Sequence, residues 1–254
     1  MFQSSKKCDI KEKMASKYKR GIGYRYLIET KYYLDRPLKD DLGEIPFVPL
    51  YKTYLEAPKL SLPREDLPLE DFARVISKRR SRRYYKKEYL SLKEISCLLW
   101  ASQGITSEEG LRAAPSAGAL YPIETYLFIF RVEGVPSGIY HFNVRDFLLE
   151  RLAEGDFSQG LTAAALGQGT IRRAAVAFVW TAVILRTMAK YRDRAIRYIF
   201  LDAGHICQNL LLAATALNLG ACPIGAFFDD EINKLLKVDG EQETTIYLAT
   251  VGKL

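Results

Sequence analysis

Residues 77–87, SKRRSRRYYKK, form the densest group of side chains that could do chemistry, and no acidic residue interrupts them. Arginine guanidinium groups match phosphate oxygens with paired hydrogen bonds, and a serine hydroxyl adds a further donor. A small phosphate-bearing ligand would need only two or three of these groups. A nucleic acid would use basic residues along one face, with the rings of Tyr84 and Tyr85 stacked on bases. A solvated helix end would carry the same charges without any ligand, so the segment alone leaves three interpretations open.

Two further stretches combine small residues with a proline: APSAGALYP at 114–122 and LGACPIGAFF at 219–228. The first contains no acid, no base and no histidine, so it cannot move a proton. Glycine and alanine instead let backbone N–H groups approach a flat ligand without a side chain in the way. The competing interpretations are an ordinary turn for the first stretch and tight packing of a strand against a helix for the second.

Missing motifs exclude several classes of enzyme. No GxGxxG follows a strand and no GxxxxGK occurs, which argues against a dinucleotide fold and a phosphate loop. The serine in APSAG lacks the preceding glycine that a nucleophile elbow requires. His141 and His205 have no spaced partners and the four cysteines form no CxxC pair, so no metal site is expected. Cys207 and Cys222 lie in apolar surroundings, which is typical of reduced thiols in the cytoplasm.

The composition is that of a soluble globular protein, with 254 residues, 48% apolar and 26% charged. A formal net charge of +7 suits an anionic partner or a basic solvated surface. Residues 1–20 are polar and basic, and the apolar run at 174–185 is too short to span a bilayer, so no membrane contact is expected. Residues 1–67 mix lysine, tyrosine and proline without periodicity and predict an extended arm lying on a body formed by 68–254.

Helices and strands are mixed along the body, which indicates an α+β fold. Apolar spacing, with a capping box at Ser91 and Glu94, predicts helices over 67–80, 91–102, 157–169 and 229–238. Strands, the first three paired as antiparallel neighbours, are predicted over 123–130, 138–143, 147–152, 174–184, 222–227 and 244–252. In the first helix the apolar residues Phe72, Val75 and Ile76 recur at helical spacing.

The longest helical pattern runs from Thr187 to Leu219, and Gly220 is expected to end it. Asp202, His205 and Asn209 form a polar stripe on this otherwise apolar helix. The pattern favours a central helix whose stripe faces a partner helix or a ligand rather than solvent. Its apolar face comprises Ile199, Ala203, Ile206, Leu210, Ala213 and Leu217.

Together these motifs resemble the FMN-dependent nitroreductase family, and within it the SagB-type dehydrogenase branch that includes the thiazole/oxazole-forming peptide oxidases. The resemblance rests on the order of RRSRR, APSAGALYPIE, KYRDRAIRYIFLDAGHICQNL, PIGAF and YLATVGK, and it is collinear from about Leu67 to Lys253. It implies a nitroreductase-like α+β fold with a central, mostly antiparallel sheet flanked by helices. It also implies a homodimer with the long central helix at the interface and two FMN sites there.

The resemblance assigns particular residues to the cofactor. Arg79, Ser81 and Arg83 match the RxSxR segment that holds the FMN phosphate and ribityl chain. The other cofactor-binding residues that it implies are Ser116, Ala117 and Gly118 in the turn beside the flavin, Gln168 near the cofactor, Ile224, Gly225 and Ala226 along the isoalloxazine ring, and Lys253 at the phosphate.

Lys190 and Tyr191 match the lysine–tyrosine pair implicated in azoline oxidation. In that chemistry one group abstracts the ring proton while flavin N5 accepts a hydride. A lysine serves as a base only where burial or neighbouring cations lower its pKa, and Arg186, Arg192 and Arg194 lie nearby in sequence. The alternative for a Lys-Tyr dipeptide on a helix is a solvated surface position.

We therefore expect a cytoplasmic FMN-dependent oxidoreductase that transfers hydride at flavin N5 and acts on azoline-type or related substrates. The alternative within the family is an NAD(P)H-dependent reductase of nitroaromatics or quinones. The alternatives from other classes are a flavin-binding protein without turnover and a basic nucleic-acid-binding protein. The partners expected are a second copy of the chain and a small-molecule or peptide-derived substrate, with no nucleic acid, membrane or metal.

Overall fold

The computed structural model describes residues 22, 25–26, 48–62 and 72–254. The strands in these ranges are β1 (Lys59–Ser61), β2 (Ile123–Ile129), β3 (Gly138–Asn143), β4 (Leu148–Glu154), β5 (Val176–Val183), β6 (Leu219–Ile224) and β7 (Glu243–Lys253). The helices are α1 (Phe72–Lys78), α2 (Leu92–Gln103), α3 (Ser158–Ala164), α4 (Thr170–Arg173), α5 (Ile184–Tyr191), α6 (Ala195–Ala216) and α7 (Asp229–Leu236). Short 3-10 turns cover Ala117–Ala119 and Arg192–Arg194.

The strands of the described residues form one antiparallel sheet in the order β1-β4-β3-β2-β5-β7-β6. The predicted antiparallel pairing of β2, β3 and β4 is confirmed, with Tyr126 opposite His141 and His141 opposite Glu150. β2 is buried at every position and β5 at all but its last. Elements cover both faces of the sheet, which explains why these strands have continuous apolar sequences rather than alternating ones.

Each face of the sheet has its own core because successive strand residues point to opposite sides. Leu127 and Phe178 pack on one face with residues of α2 and α6. Phe128 and Val179 pack on the other face with Leu161 of α3 and residues of α7. The long helix α6 therefore lies against one side of the sheet, where it can position loops at the sheet end.

Helix α6 is confirmed as a central helix. Its predicted apolar positions from Ile199 to Ala213 are buried. Within the described residues, Ile184–Ala216 is long and apolar enough to cross a membrane by length and composition, yet 56% of its most apolar window is buried inside the protein. The core helix of a folded domain accounts for this pattern.

Two details of the long helix differ from prediction. The pattern from Thr187 is divided, since α5 ends at Tyr191 and Arg192 has a φ of 52°, a value that an α-helix cannot contain. The predicted stop at Gly220 was wrong: α6 ends at Ala216, and Asn218 takes the left-handed conformation with a φ of 55°. Gly220 lies inside β6 instead, where a Cβ would come within 2.9 Å of the Tyr85 ring.

The shorter helices also differ in detail. The predicted helix over 157–169 ends early because Leu166 and Gly167 both have positive φ, and α4 begins afterwards. In α1 Val75 is buried, whereas Phe72 and Ile76 are exposed. The capping box of Ser91 and Glu94 opens α2 as predicted.

Residues 48–62 are the described part of the predicted arm that continues into the sheet. β1 pairs with the edge strand β4, and the Tyr54 N–H donates to Glu150 Oε2 at 2.9 Å. The boundary at residue 67 lies outside the described residues, as does most of the arm. The division into an arm over 1–67 and an FMN-binding domain over 68–254 stays a prediction.

Candidate functional site

The turn carrying Ser116, Ala117 and Gly118 is fixed to helix α6 by Asp202. The Ser116 hydroxyl donates to Asp202 Oδ2 at 2.6 Å, and the Ala117 N–H donates to Asp202 Oδ1 at 3.2 Å. The Ser116 oxygen in turn accepts the Tyr121 N–H at 2.9 Å, which closes the turn on itself. Burial raises the pKa of the Asp202 carboxyl, while the bonds from Ser116 and Ala117 oppose that rise. Asp202 thus sets where this turn sits on the helix.

Lys190 and Tyr191 meet this turn at Gly118. Gly118 has a φ of 63°, and a Cβ placed there would lie 2.8 Å from the Tyr191 hydroxyl and 2.9 Å from the Lys190 Nζ. The Lys190 Nζ also lies 5.4 Å from the centre of the Tyr191 ring, which packs against the Tyr198 ring at an angle of 58° with 4.6 Å between centroids. The Tyr191 hydroxyl and the Lys190 amine therefore reach the same point above the turn, although they are distant from it in sequence.

The break between α5 and α6 is what presents the pair. Lys190 and Tyr191 are the last two residues of α5, and the chain turns at Arg192 before α6 begins. Lys190 is exposed and Tyr191 half-buried in the described chain. Because the helix is broken at Arg192, α5 and α6 can take different directions. Tyr191 of α5 therefore approaches Gly118, while Asp202 of α6 bonds to Ser116 and Ala117 in the same turn.

The basic segment runs along the open side of β6. Ser81 forms a parallel bridge with Ala221, and the Arg82 N–H donates to the Ala221 carbonyl at 2.9 Å. Arg80 and Arg82 line a cavity of about 670 Å³ next to the end of α6. The predicted residues Arg79, Ser81 and Arg83, which alternate with Arg80 and Arg82 in sequence, do not line that cavity.

Gln168 and the end of β6 lie beside the basic segment. The Gln168 Nε2 donates to the Ala226 carbonyl at 2.8 Å. Ile224 ends the strand as a buried residue, and Gly225 and Ala226 follow it as exposed backbone. Arg83 is close enough for its charge to oppose the rise that burial causes in the pKa of Cys222.

Tyr85 links the same region together. Its hydroxyl lies 2.9 Å from Thr250 Oγ1, which lies 3.4 Å from the Thr170 hydroxyl at the start of α4. Burial raises the pKa of Tyr85 to about 12, so the phenol stays protonated. These bonds connect the basic segment to β7 and α4, and the Gln168 bond connects the loop before α4 to the residues after β6.

Lys253 makes an ion pair with Glu94, with 2.6 Å between Nζ and Oε1. Its carbonyl accepts the Lys86 N–H at 3.0 Å. The lysine side chain lines a cavity of about 530 Å³ together with Cys97 and Asn218. Its assignment to a phosphate stays a prediction.

The predicted residues thus form two groups in the described chain. One group is the Ser116–Gly118 turn with Lys190 and Tyr191, and the other is the basic segment with Gln168 and the residues after β6. No hydrogen bond or ion pair joins the two groups within residues 72–254. Both contact α6, the first through Asp202 and the second through the packing of β6 on that helix.

The donor chemistry of the two groups fits FMN. Two guanidinium groups and a hydroxyl suit a phosphate, and the exposed backbone at Gly225 and Ala226 leaves room for a flat ring. The turn at Gly118, where a Cβ would fill the space, is a second place at which a flat ring could lie against the backbone.

Two residues that matter to the site went unassigned at the sequence level. In the sequence Asp202 is part of the polar stripe predicted to face a partner helix or a ligand; Asn209 does face helix α2, whereas Asp202 bonds to the turn. The Asn209 Nδ2 donates to the Ala101 carbonyl at 3.0 Å, whereas His205 is exposed. Arg186 was considered only as a charge near Lys190.

Arg186 belongs instead to a buried charged cluster on the sheet. It forms an ion pair with Glu124, whose other oxygen lies 3.0 Å from His141 Nε2, and His141 Nδ1 lies 2.9 Å from Glu150. Burial opposes charge in this cluster, but the two carboxylates still raise the pKa of His141 above its ordinary value. Burial is likewise outweighed at Glu150, where bonds from His141 and Lys59 lower the pKa to about 2. No single sequence motif marks these residues, because they come from three strands and from helix α5.

Comparisons with known proteins identify the family of the chain. The Nitroreductase family model matches residues 76–253. MJ1384 of Methanocaldococcus jannaschii, provisionally named a nitroreductase, is 39% identical over 189 residues that cover 74% of this chain and 92% of that protein. The trifolitoxin-processing protein TfxB of Rhizobium leguminosarum bv. trifolii is 35% identical over 119 residues, 45% of this chain and 32% of TfxB.

Solved structures show the same fold. A provisionally named nitroreductase from Anabaena variabilis has a TM-score of 0.73 and 29% identity over 91% of this chain and 46% of its own. The Escherichia coli microcin synthetase McbBCD complex with truncated pro-MccB17 has a TM-score of 0.59 at 22% identity, over 92% of this chain and 82% of that one. A Desulfovibrio desulfuricans protein in complex with FMN has a TM-score of 0.51 at 22% identity, over 72% and 86%.

The toxin-processing relative and the microcin synthetase neighbour fit the SagB-type branch that the motifs resemble. The family match covers the whole body that carries both groups of site residues. From its motifs, its fold and these matches, the chain belongs to the nitroreductase family.

Proposed function

We propose that this protein is an FMN-dependent oxidoreductase that transfers hydride at flavin N5, with Lys190 and Tyr191 handling the accompanying proton. The observation that carries the proposal is the convergence of both side chains on Gly118 in the turn beside the predicted flavin position. Two unrelated surface side chains would not be expected to end at the same glycine of a turn.

The chain's own residues would divide the work of binding. Arg79, Ser81 and Arg83 hold the phosphate and ribityl chain, and Lys253 contributes a further cation. Gln168 fixes the Ala226 carbonyl, which keeps the backbone from Ile224 to Ala226 open against the ring. The turn at Ser116–Gly118, held by Asp202, forms a second surface for the cofactor.

The substrate class that fits the pair is an azoline-type ring in a peptide. A thiazoline or oxazoline becomes aromatic by losing one proton and one hydride. FMN held by these residues would supply the hydride acceptor at N5, and oxygen would take up the two electrons and be reduced to hydrogen peroxide. The Lys190 amine would take the ring proton, and the Tyr191 hydroxyl, directed at the same point, would orient the ring or pass the proton on.

Relatives support both this substrate class and one alternative. TfxB and the McbBCD complex are named for processing of peptide products, which favours a peptide-derived substrate. MJ1384, by its provisional name, favours the alternative, an NAD(P)H-dependent reductase of nitroaromatics or quinones. The two differ in what reduces the flavin, so one measurement of flavin reduction separates them.

We also propose that the enzyme is a cytoplasmic homodimer. The exposed apolar residues Phe72 and Ile76 of α1 and Phe200 and Leu201 of α6 would be covered in a dimer through the central helix. The free, buried thiols of Cys97, Cys207 and Cys222 suit a reducing compartment.

The visible spectrum of the purified protein, followed by heat release and mass analysis of the pigment, tests the cofactor. We expect a yellow protein that releases FMN. A colourless protein that takes up no added FMN would overturn the proposal, and retention on DNA that falls steeply with salt would favour the nucleic-acid alternative.

Replacing Lys190 tests the reaction. Lys190→Ala should retain FMN but slow substrate oxidation by about 10²–10⁴-fold, the usual range for a positioned acid–base group. Tyr191→Phe, which keeps the ring on Tyr198, is the matched variant for the hydroxyl. Unchanged oxidation in both variants would contradict the proposed roles. A yellow protein that no substrate or nicotinamide donor reduces would favour a flavin-binding protein without turnover.

A further inference from the structure

We propose that Arg186 is a positioning residue that holds helix α5 against the APSAGALYP turn, so that Lys190 and Tyr191 lie over Gly118. What the pair does there rests on the proposed function; where the pair lies does not.

Arg186 contacts three different parts of the chain from a buried position. Its guanidinium forms an ion pair with Glu124 at the start of β2. Its Nη1 donates to the Tyr121 carbonyl at 3.2 Å, at the end of the turn that contains Gly118. Its Nε donates to the Pro49 carbonyl at 2.7 Å, in the described part of the arm. One side chain therefore ties the helix, the turn and the arm together.

Helix α5 needs such an anchor. It has eight residues, too few to be stable alone, and the break at Arg192 separates it from α6. Arg186 lies one helical turn before Lys190, so fixing Arg186 fixes the position from which Lys190 projects. The bond to Tyr121 fixes the other partner, because only two residues separate Tyr121 from Gly118.

The counterion of Arg186 is itself immobilised. Glu124 also pairs with His141, which pairs with Glu150, and Glu150 accepts the Tyr54 N–H and the Lys59 ammonium from residues 48–62. A buried ion pair is weak evidence for stability, whereas its best-attested use is to specify one arrangement. Here the guanidinium uses its remaining donors on carbonyls of the turn and the arm, which specifies their arrangement.

The first test measures the position without using activity. Hydrogen–deuterium exchange is followed in the full-length protein for Arg186→Met and for Arg186→Met/Glu124→Gln, which removes both charges so that no carboxylate is left alone. Arg151→Met, at an exposed pair with Glu154, is the control. In both variants we expect exchange over 116–121 and 184–191 to be faster than in the wild-type protein, while exchange over 205–213 of α6 stays unchanged. In the control we expect wild-type exchange throughout. Wild-type exchange over 116–121 and 184–191 in the double variant would overturn the proposal.

The second test is a double-mutant cycle with Lys190. We expect kcat for Arg186→Met to fall about 10²-fold, as for a misplaced catalytic group, with FMN content and KM little changed. Lys190→Ala should then add little in the Arg186→Met background, since the lysine is already displaced. Arg186→Lys should rescue poorly, because an ammonium cannot reproduce three directed bonds. If the two substitutions lower kcat independently, so that their effects multiply, and Arg186→Met also raises KM and lowers FMN content to a similar extent, the role of Arg186 is merely structural. That result would overturn the proposal.

The two tests also separate this inference from the proposed function. If Lys190→Ala has no effect in the wild-type protein, the catalytic assignment fails, and the exchange measurement still decides the role of Arg186. If Lys190→Ala is severe while Arg186→Met changes neither exchange nor kcat, the function stands and the positioning role is wrong.

Discussion

At the scale of single residues, the site depends on one glycine with a positive φ, where an added Cβ would displace the ends of two polar side chains. Gly118 combines a φ of 63° with the approach of Lys190 and Tyr191. The PSAG pattern predicted a small-residue turn, but the residues that would collide with a Cβ come from another element. Sequence could not reveal that contact because it depends on how α5 is placed.

Gly118→Ala should therefore displace the lysine–tyrosine pair. Gly134→Ala is the matched control, since Gly134 has a φ of 69° and nothing within 4 Å of its would-be Cβ. Both variants should lose about 1–2 kcal/mol of stability from the left-handed backbone. Only Gly118→Ala should lower kcat, by about 10²-fold, which steady-state kinetics and thermal melting measure together. Equal kinetics in the two variants would contradict the contact.

His141 makes a separate prediction about pH. Its pKa is raised in the folded protein above the ordinary 6.5, because Glu124 and Glu150 outweigh the effect of burial. The stability that it contributes is thus fully present below pH 6.5 and is lost as the pH rises through the raised value.

His141→Gln should remove this dependence. We expect it to be about 3 kcal/mol less stable near pH 6, as when a buried ion pair loses one partner, with a smaller difference at high pH. Urea unfolding at several pH values above and below 6.5 measures the effect. A difference that stays constant with pH would show that His141 is not charged in the folded state.

At the scale of elements, local sequence signals predicted most helices and strands but not the positions where helices break or end. The capping box predicted the start of α2 and apolar runs predicted β2, β3, β4 and β5. The break after Tyr191 occurs at an arginine with positive φ, which no propensity favours, so a continuous helix was predicted there. Glycine commonly ends a helix, which is why the sequence predicts a stop at Gly220, yet in the structure Gly220 permits Tyr85 to approach β6.

The basic segment gives an element-scale prediction through its alternation. Arg79→Ala/Arg83→Ala should reduce FMN retention, whereas Arg80→Ala/Arg82→Ala, which removes the same charge beside the cavity at the end of α6, should not. Each lost charged hydrogen bond contributes about 1.5–3 kcal/mol, so the first pair should weaken binding by at least about 10²-fold. FMN retention is measured by titration of released FMN. If both double variants lose FMN equally, the net charge of the segment matters rather than the particular arginines.

At the scale of the whole molecule, the α+β class and the antiparallel sheet follow from the patterning, but the order of strands does not. β5 lies between β2 and β7, which no local signal specifies. The exposed apolar surface of α1 and α6 went unpredicted for a related reason: helical spacing shows that a face is apolar, not what covers it.

A lysine on that surface should disrupt the proposed dimer. Phe200→Lys/Leu201→Lys is expected to give a monomer with lowered FMN content, since both side chains are about half exposed in the chain alone, at 53% each. Leu55→Lys, at 81% exposure in the arm, is the control. Light scattering and flavin content measure the result. A dimer that persists with full FMN would place the interface elsewhere.

The central claim is that Lys190 and Tyr191, held over Gly118, move the proton in a hydride transfer to FMN. Its most direct test is anaerobic mixing of the FMN-loaded protein with a thiazoline- or oxazoline-containing peptide, with flavin absorbance followed in time. We predict bleaching of the flavin with one azole formed per flavin, slowed at least about 10²-fold in Lys190→Ala. Flavin bleached by NADH or NADPH but not by the peptide, at the same rate in Lys190→Ala, would contradict it.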